Sequence, residues 1–147
     1  MSGNGGAGYG GDVGAQVAWD ALASDPAARL VDVRTRAEWT YVGVPTLEPI
    51  GKDVLLVAWD DFPTGPIPDF AGRLAAVLEA KGIGRDAPLY FLCRSGARSR
   101  SAAIAATAAG HDRCFNIEFG FEGVLGPDRH RATAGSWKAE GLPWMQS

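Results

Sequence analysis

Ala87-Pro-Leu-Tyr-Phe-Leu-Cys93-Arg-Ser-Gly-Ala-Arg-Ser99 is the stretch that decides the architecture. Through Leu92 it is a compact run of apolar and aromatic residues, the most strand-like piece of the chain. Ser99 to Ala109 is alanine-rich and free of proline and glycine until Gly110, which predicts a helix beginning within a few residues of Cys93. A cysteine therefore stands where the carboxyl end of a strand turns into the amino end of a helix.

Working outward, the same alternation recurs. Val13 to Ser24 predicts a short helix stopped by Asp25-Pro26, and Arg29-Leu-Val-Asp-Val-Arg34 a buried strand. Thr35 and Glu38 have the spacing of a capping box, so a helical turn starts there. Val54 to Val57 reads as another strand, and Trp59 to Pro68, with its prolines and glycine, as a long loop without regular structure. Asp69 caps a helix over Phe70 to Lys81, which Gly82 ends. Arg113 to Glu118 suits a further strand, and Ser136 to Glu140 a short helical piece. Strand and helix in alternation imply an α/β domain with a mostly parallel central sheet flanked by helices, where sites gather at the carboxyl ends of strands.

The totals fit one such domain. The chain has 147 residues, of which 46% are hydrophobic. Residues 1–11 are so rich in glycine that they read as a flexible tail, leaving residues 12–147 for the domain. A net charge of −3 argues against a general nucleic-acid binder. No segment approaches the roughly 20 apolar residues that span a bilayer, and the start lacks a basic stretch followed by an apolar run, so no membrane association is expected and the expected address is the cytoplasm. There Cys93 and Cys114 would both remain thiols. Cys114, in a strand beside Phe115 and Ile117, reads as structural. His111 and His130 could join the cysteines around zinc, but the paired spacing of zinc ligands is missing, and neither metal nor cofactor is expected.

The segment Cys93 to Ser99 favours an anion. A short strand-to-helix loop curls backbone N–H groups inward, and the helix start adds unpaired N–H groups and a positive dipole end. Gly96 permits the curl, and Arg94, Arg98 and Arg100 supply cations that favour a thiolate at Cys93. Such a thiolate is a nucleophile, and the same donors would hold a transferred negative charge. Asp32 and Arg34 read as local scaffolding, with Arg34 able to pair with Glu38. Trp59 and Phe62 read as a recognition patch or as partly buried loop aromatics. Arg29, Arg73, Arg85 and Arg113 read as solvated surface.

Cys93 to Ser99 resembles the active-site loop of rhodanese domains, in which a cysteine opens a short loop closed by a helix. Asp32-Val-Arg34 followed by Glu38-Trp39 is similar to that family's early signature. Asn116 to Gly123 resembles its late strand and glycine turn, and Trp137 with Gly141-Leu-Pro-Trp144 its ending. The resemblance covers roughly residues 13 to 144. Two departures stand out: Val42-Gly-Val-Pro-Thr46 lacks the histidine usual there, and the Trp59 to Pro68 loop is long and aromatic.

The resemblance implies a three-layer rhodanese-like fold and a sulfurtransferase. Cys93 would take the outer sulfur of thiosulfate or another sulfane donor as a persulfide and pass it to cyanide, a thiol or a sulfur-carrier protein. The backbone of Arg94, Ser95, Gly96, Ala97, Arg98 and Ser99 would bind the transferred sulfur, and Arg94 and Arg98 would steer a small anionic donor. Three rivals remain: a cysteine phosphatase, disfavoured because Cys93 to Arg98 is Cys-x4-Arg and not Cys-x5-Arg; a docking or carrier module without turnover; and, more remotely, an arsenate reductase.

Overall fold

The protein is described here by a computed structural model, covering residues 8–61, 64–123 and 135–146. Five short strands form one parallel sheet: β1 (Asp12–Val13), β2 (Arg29–Asp32), β4 (Val54–Leu56), β7 (Leu89–Leu92) and β8 (Cys114–Ile117), in the order β1-β8-β7-β2-β4. Between them run α1 (Ala15–Ser24), α2 (Arg36–Tyr41), α3 (Phe70–Ala80) and α4 (Ala97–Ala108). Two small antiparallel pairs complete the chain, β3 (Val44–Pro45) with β9 (Trp144–Met145) and β5 (Asp60–Asp61) with β6 (Gly65–Pro66).

Successive residues of a strand face opposite sides of a sheet, so a strand covered twice must be apolar throughout, and β7 is. Leu89 and Phe91, with Val31, Val33 and Leu55, pack on Phe70, Leu74 and Leu78 of α3 and Ala102, Ala103 and Ala106 of α4. Tyr90 and Leu92, with Leu30 and Ile117, pack on Ala15, Ala18 and Leu22 of α1 and on Phe121, Trp137 and Leu142. The small alanines of α4 let that helix lie close over β7 and β8, which brings its amino end beside the end of β7.

Several expectations need correction. Tyr9 to Gly11, read as part of the tail, pack on the domain: Tyr9 is buried, Gly10 N donates to Cys114 O at 2.7 Å, and Gly11 O accepts from Asn116 N at 3.0 Å. The segment was expected to be free because of its glycines, but one aromatic ring and a strand edge suffice to hold it. Residues 1–7 of that tail, with Phe62 and His130, lie outside the described residues. The Trp59 to Pro68 loop contains the β5–β6 ribbon, where Pro66 is tolerated because a two-stranded ribbon leaves one edge open. Ser136 to Glu140 forms successive turns around the buried Trp137 instead of a helix, since Gly141 follows before a ladder of bonds can build. Arg73 is no free surface group; its guanidinium donates to Ala58 O, Ile67 O and Pro68 O.

Candidate active site

β7 ends at Leu92, and Cys93 follows at the carboxyl edge of the sheet between β8 and β2. The chain then turns sharply, held from outside by the segment after β8: Phe121 N donates to Cys93 O at 2.8 Å, and Glu122 N and Gly123 N donate to Arg94 O at 3.0 and 3.1 Å. Close approach sets two residue types. Gly120, at φ 62°, leaves no room for a Cβ against the Cys93 and Arg94 carbonyls, and Gly96, at φ 114°, none against Glu118 O. Gly96 caps α4, whose first N–H groups, those of Ala97, Arg98 and Ser99, have no acceptor within the helix.

The turn folds donors onto the sulfur. Gly96 N–H donates to Cys93 Sγ at 3.1 Å, and the Ser99 hydroxyl lies 3.1 Å from it. Cys93 is only 1% exposed, so whatever reacts with it must present a slender tip. Behind Ser99 a polar chain runs to the surface: Ser99 Oγ touches Asn116 Oδ1, Asn116 Nδ2 donates to Asp12 Oδ1 at 3.0 Å, and Tyr9 Oη donates to the same Asp12 oxygen at 2.8 Å. These hydrogen bonds, with Arg100 nearby, hold the Asp12 carboxyl below its ordinary range against the opposing effect of burial.

The three loop arginines part company. Arg94 is exposed, and no ion pair ties it among the described residues. Arg100 turns away to Asp12, at 3.5 Å. Arg98, the expected steering group, is engaged: Nη1 and Nη2 donate to the two Glu38 oxygens at 2.6 and 3.0 Å, and Nη1 lies 3.3 Å from Asp60 Oδ1. Burial pulls the Arg98 pKa down, but the hydrogen bonds and charge of Glu38, with the Cys93 sulfur and Asp60, more than reverse it. Burial likewise raises the Glu38 pKa, and the hydrogen bonds from Arg98 and Thr35 overcome it, lowering the carboxyl to about 2.

Glu38 is thus not the partner of Arg34. Arg34 and Asp32 form a fully buried pair with contacts of 2.8 to 3.2 Å, Arg34 Nη2 also donates to Gly43 O at 2.7 Å, and the guanidinium lies 4.3 Å from the centre of the Phe121 ring. The pair braces the end of β2, the Val42 to Thr46 segment and the turn that grips Cys93. Ser95 is half-buried and Ala97 exposed on the loop's rim. Cys114 is buried, and burial pushes its thiol up to about 11. Among the described residues no three His, Cys, Asp or Glu side chains converge as metal ligands.

Sequence reasoning did not mark Glu38, Asp60, Asn116 or Asp12 as site residues. Asn116 alone left a trace: an amide in the middle of a buried apolar strand needs a partner.

A parallel α/β sheet with a cysteine cradled between a strand end and a helix start defines a class of thiol-loop proteins. The chain belongs to the rhodanese-like domain family, whose model matches residues 15–126. It is 39% identical over 128 residues to an uncharacterised protein of Rickettsia conorii, a span of 87% of this chain and 91% of that one. The crystal structure of Rv0390 from M. tuberculosis is similar at 43% identity and a TM-score of 0.84, over 95% of this chain and 99% of that one. A polysulfide-sulfur transferase homodimer from Wolinella succinogenes shares the fold at 22% identity and a TM-score of 0.61, over 92% of this chain and 78% of that one. The fold is rhodanese-like. No helix among the described residues is long and apolar enough to cross a membrane.

Proposed function

We propose that the protein is a sulfurtransferase that carries sulfane sulfur as a persulfide on Cys93. The observation that carries the reading is the pair of donors on Sγ, Gly96 N–H and Ser99 O–H at 3.1 Å each, at the start of α4. Hydrogen bonds to a charged acceptor are roughly twice as strong as neutral ones, so these donors suit the anionic sulfur that a persulfide presents.

With thiosulfate, the Cys93 thiolate attacks the outer sulfur, a new S–S bond forms, the donor's S–S bond breaks, and sulfite leaves with the electron pair. An acceptor then attacks the outer sulfur of the persulfide and restores the thiolate; cyanide gives thiocyanate. The N–H groups of Ala97, Arg98 and Ser99, which have no acceptor within the helix, would be the donors that hold the second sulfur's charge. A terminal sulfur is one atom wide and suits a buried nucleophile, whereas a phosphate ester presents a bulky tetrahedral group and suits it poorly. A small thiol or a sulfur-carrier protein would be the acceptor in the cell, and two unpaired thiols suit a reducing cytoplasm.

The test is turnover: thiocyanate release from cyanide with thiosulfate or an alkyl persulfide as donor. Activity in the wild type and its loss, by at least about 1,000-fold, in Cys93→Ser is expected when the nucleophile itself is removed. Equal activity in both proteins would refute the reading. Robust Cys93-dependent cleavage of an aryl phosphate would favour the phosphatase instead.

A further inference from the structure

The β5–β6 ribbon borders the site, and the transfer step above makes no use of it. It is firmly seated. Arg73 of α3 fastens its base by donating to Ala58 O at 2.8 Å, Ile67 O at 3.2 Å and Pro68 O at 3.1 Å. Trp59 N donates to Val33 O at 2.8 Å, Ile67 N to Trp59 O at 3.0 Å, and the Trp59 ring rests 5.2 Å from Phe70. What this ribbon delivers to the site is one carboxylate, Asp60, on the guanidinium that Glu38 already grips with both oxygens.

We propose that Asp60 is a specificity-determining residue that disfavours small dianionic donors and selects sulfane sulfur borne on a thiol, R–S–SH. The inference rests on the sulfur-transfer reading above. Glu38 alone satisfies Arg98 and is itself required by the cap of α2, so Asp60 is the surplus charge: two carboxylates on one guanidinium leave the group net negative. With Arg100 turned to Asp12, Arg94 is the loop arginine left to meet an anion. Thiosulfate brings two negative charges, and Asp60 opposes it twice as strongly as it opposes a monoanion. A persulfide carries at most one negative charge, and its protonated form escapes that repulsion. In the favoured reaction the Cys93 thiolate attacks the protonated outer sulfur, the donor's S–S bond breaks as the new one forms, and RS⁻ leaves with the electron pair. The proton stays on Cys93–S–SH until water takes it, and no outside oxidant is needed.

The measurement is kcat/KM for thiosulfate and for 2-mercaptoethanol persulfide, generated in situ, in wild type, Asp60→Asn, Asp60→Ala and Asp60→Glu. Asp60→Asn and Asp60→Ala are expected to raise the thiosulfate-to-persulfide ratio by about tenfold at low ionic strength, with most of that gain erased in about 0.5 M salt. Asp60→Glu keeps the charge and is expected to keep the wild-type ratio. A purely structural role for Asp60 would depress both donors together and leave the ratio unmoved by salt. If the wild type uses the persulfide but neither neutral variant shifts the ratio, the specificity role is overturned and sulfur transfer stands. A wild type that takes sulfur from neither donor overturns both.

Discussion

Ser99 has one hydroxyl proton and three acceptors in reach, Cys93 Sγ, Asn116 Oδ1 and, at 3.3 Å, Gly96 O. Asp12 settles which way the amide faces, because Asn116 Nδ2 donates to it and so turns Oδ1 toward Ser99. One proton serves one acceptor at a time, so the hydroxyl that donates to Sγ gives up its bond to the amide. Asn116 and Asp12 therefore hold the hydroxyl in register without touching the reacting atoms. Hydrogen bonds to charged groups contribute about 1.5–3 kcal/mol, so Ser99→Ala is expected to lower kcat/KM for sulfur transfer by about 10- to 100-fold. Its thermal midpoint should fall by a few degrees, because the buried Asn116 Oδ1 loses its partner; activity unchanged in a folded Ser99→Ala would remove the hydroxyl from the mechanism. Cys93 itself was legible as the end of an apolar run, and Gly96 as a residue at a tight turn. The polar chain behind them was not, because Asp12 and Asn116 meet across 104 positions of sequence.

At the scale of elements, Glu38 joins two of them. Its carboxylate accepts from Thr35 N and Oγ1 at 3.1 Å to close the cap of α2, and from Arg98 to pin the first turn of α4. The cap was legible from the spacing of Thr35 and Glu38, as was the Asp69 cap of α3, since such bonds are local. The reach to Arg98 was hidden by a separation of 60 residues, and the β5–β6 ribbon by its own prolines. Because folding lowers the Glu38 pKa from 4.5 to about 2, its contribution is fully present above about pH 4.5 and is lost as pH falls through about 2. Glu38→Gln is therefore expected to cost on the order of 2 kcal/mol at pH 7, a gap that narrows steadily below pH 4.5. Urea unfolding of both proteins from pH 7 to pH 2.5 measures it, and a gap independent of pH would contradict the assignment.

Across the whole molecule, the parallel sheet brings the carboxyl ends of β2, β4, β7 and β8 to one edge, and each supplies part of the site. β2 leads into the Asp32–Arg34 brace, β4 into the Asp60 ribbon, β7 into Cys93, and β8 holds Asn116 and leads into the turn that grips the loop. Alternation of strand and helix made this architecture legible, because short-range periodicity reports which segments are covered on both sides. The docking of Tyr9 and the pairing of β3 with β9 were not, for both are two-residue contacts between distant parts of the chain. The arrangement converges on one sulfur atom, so the most direct measurement is intact-protein mass spectrometry after incubation with thiosulfate or an alkyl persulfide, on wild type, Cys93→Ser and Cys114→Ser. The account predicts a gain of one sulfur atom, about 32 Da, in wild type and Cys114→Ser, removed by cyanide and absent from Cys93→Ser. A wild type that gains no sulfur from either donor, or a Cys93→Ser protein that gains as much, would contradict it.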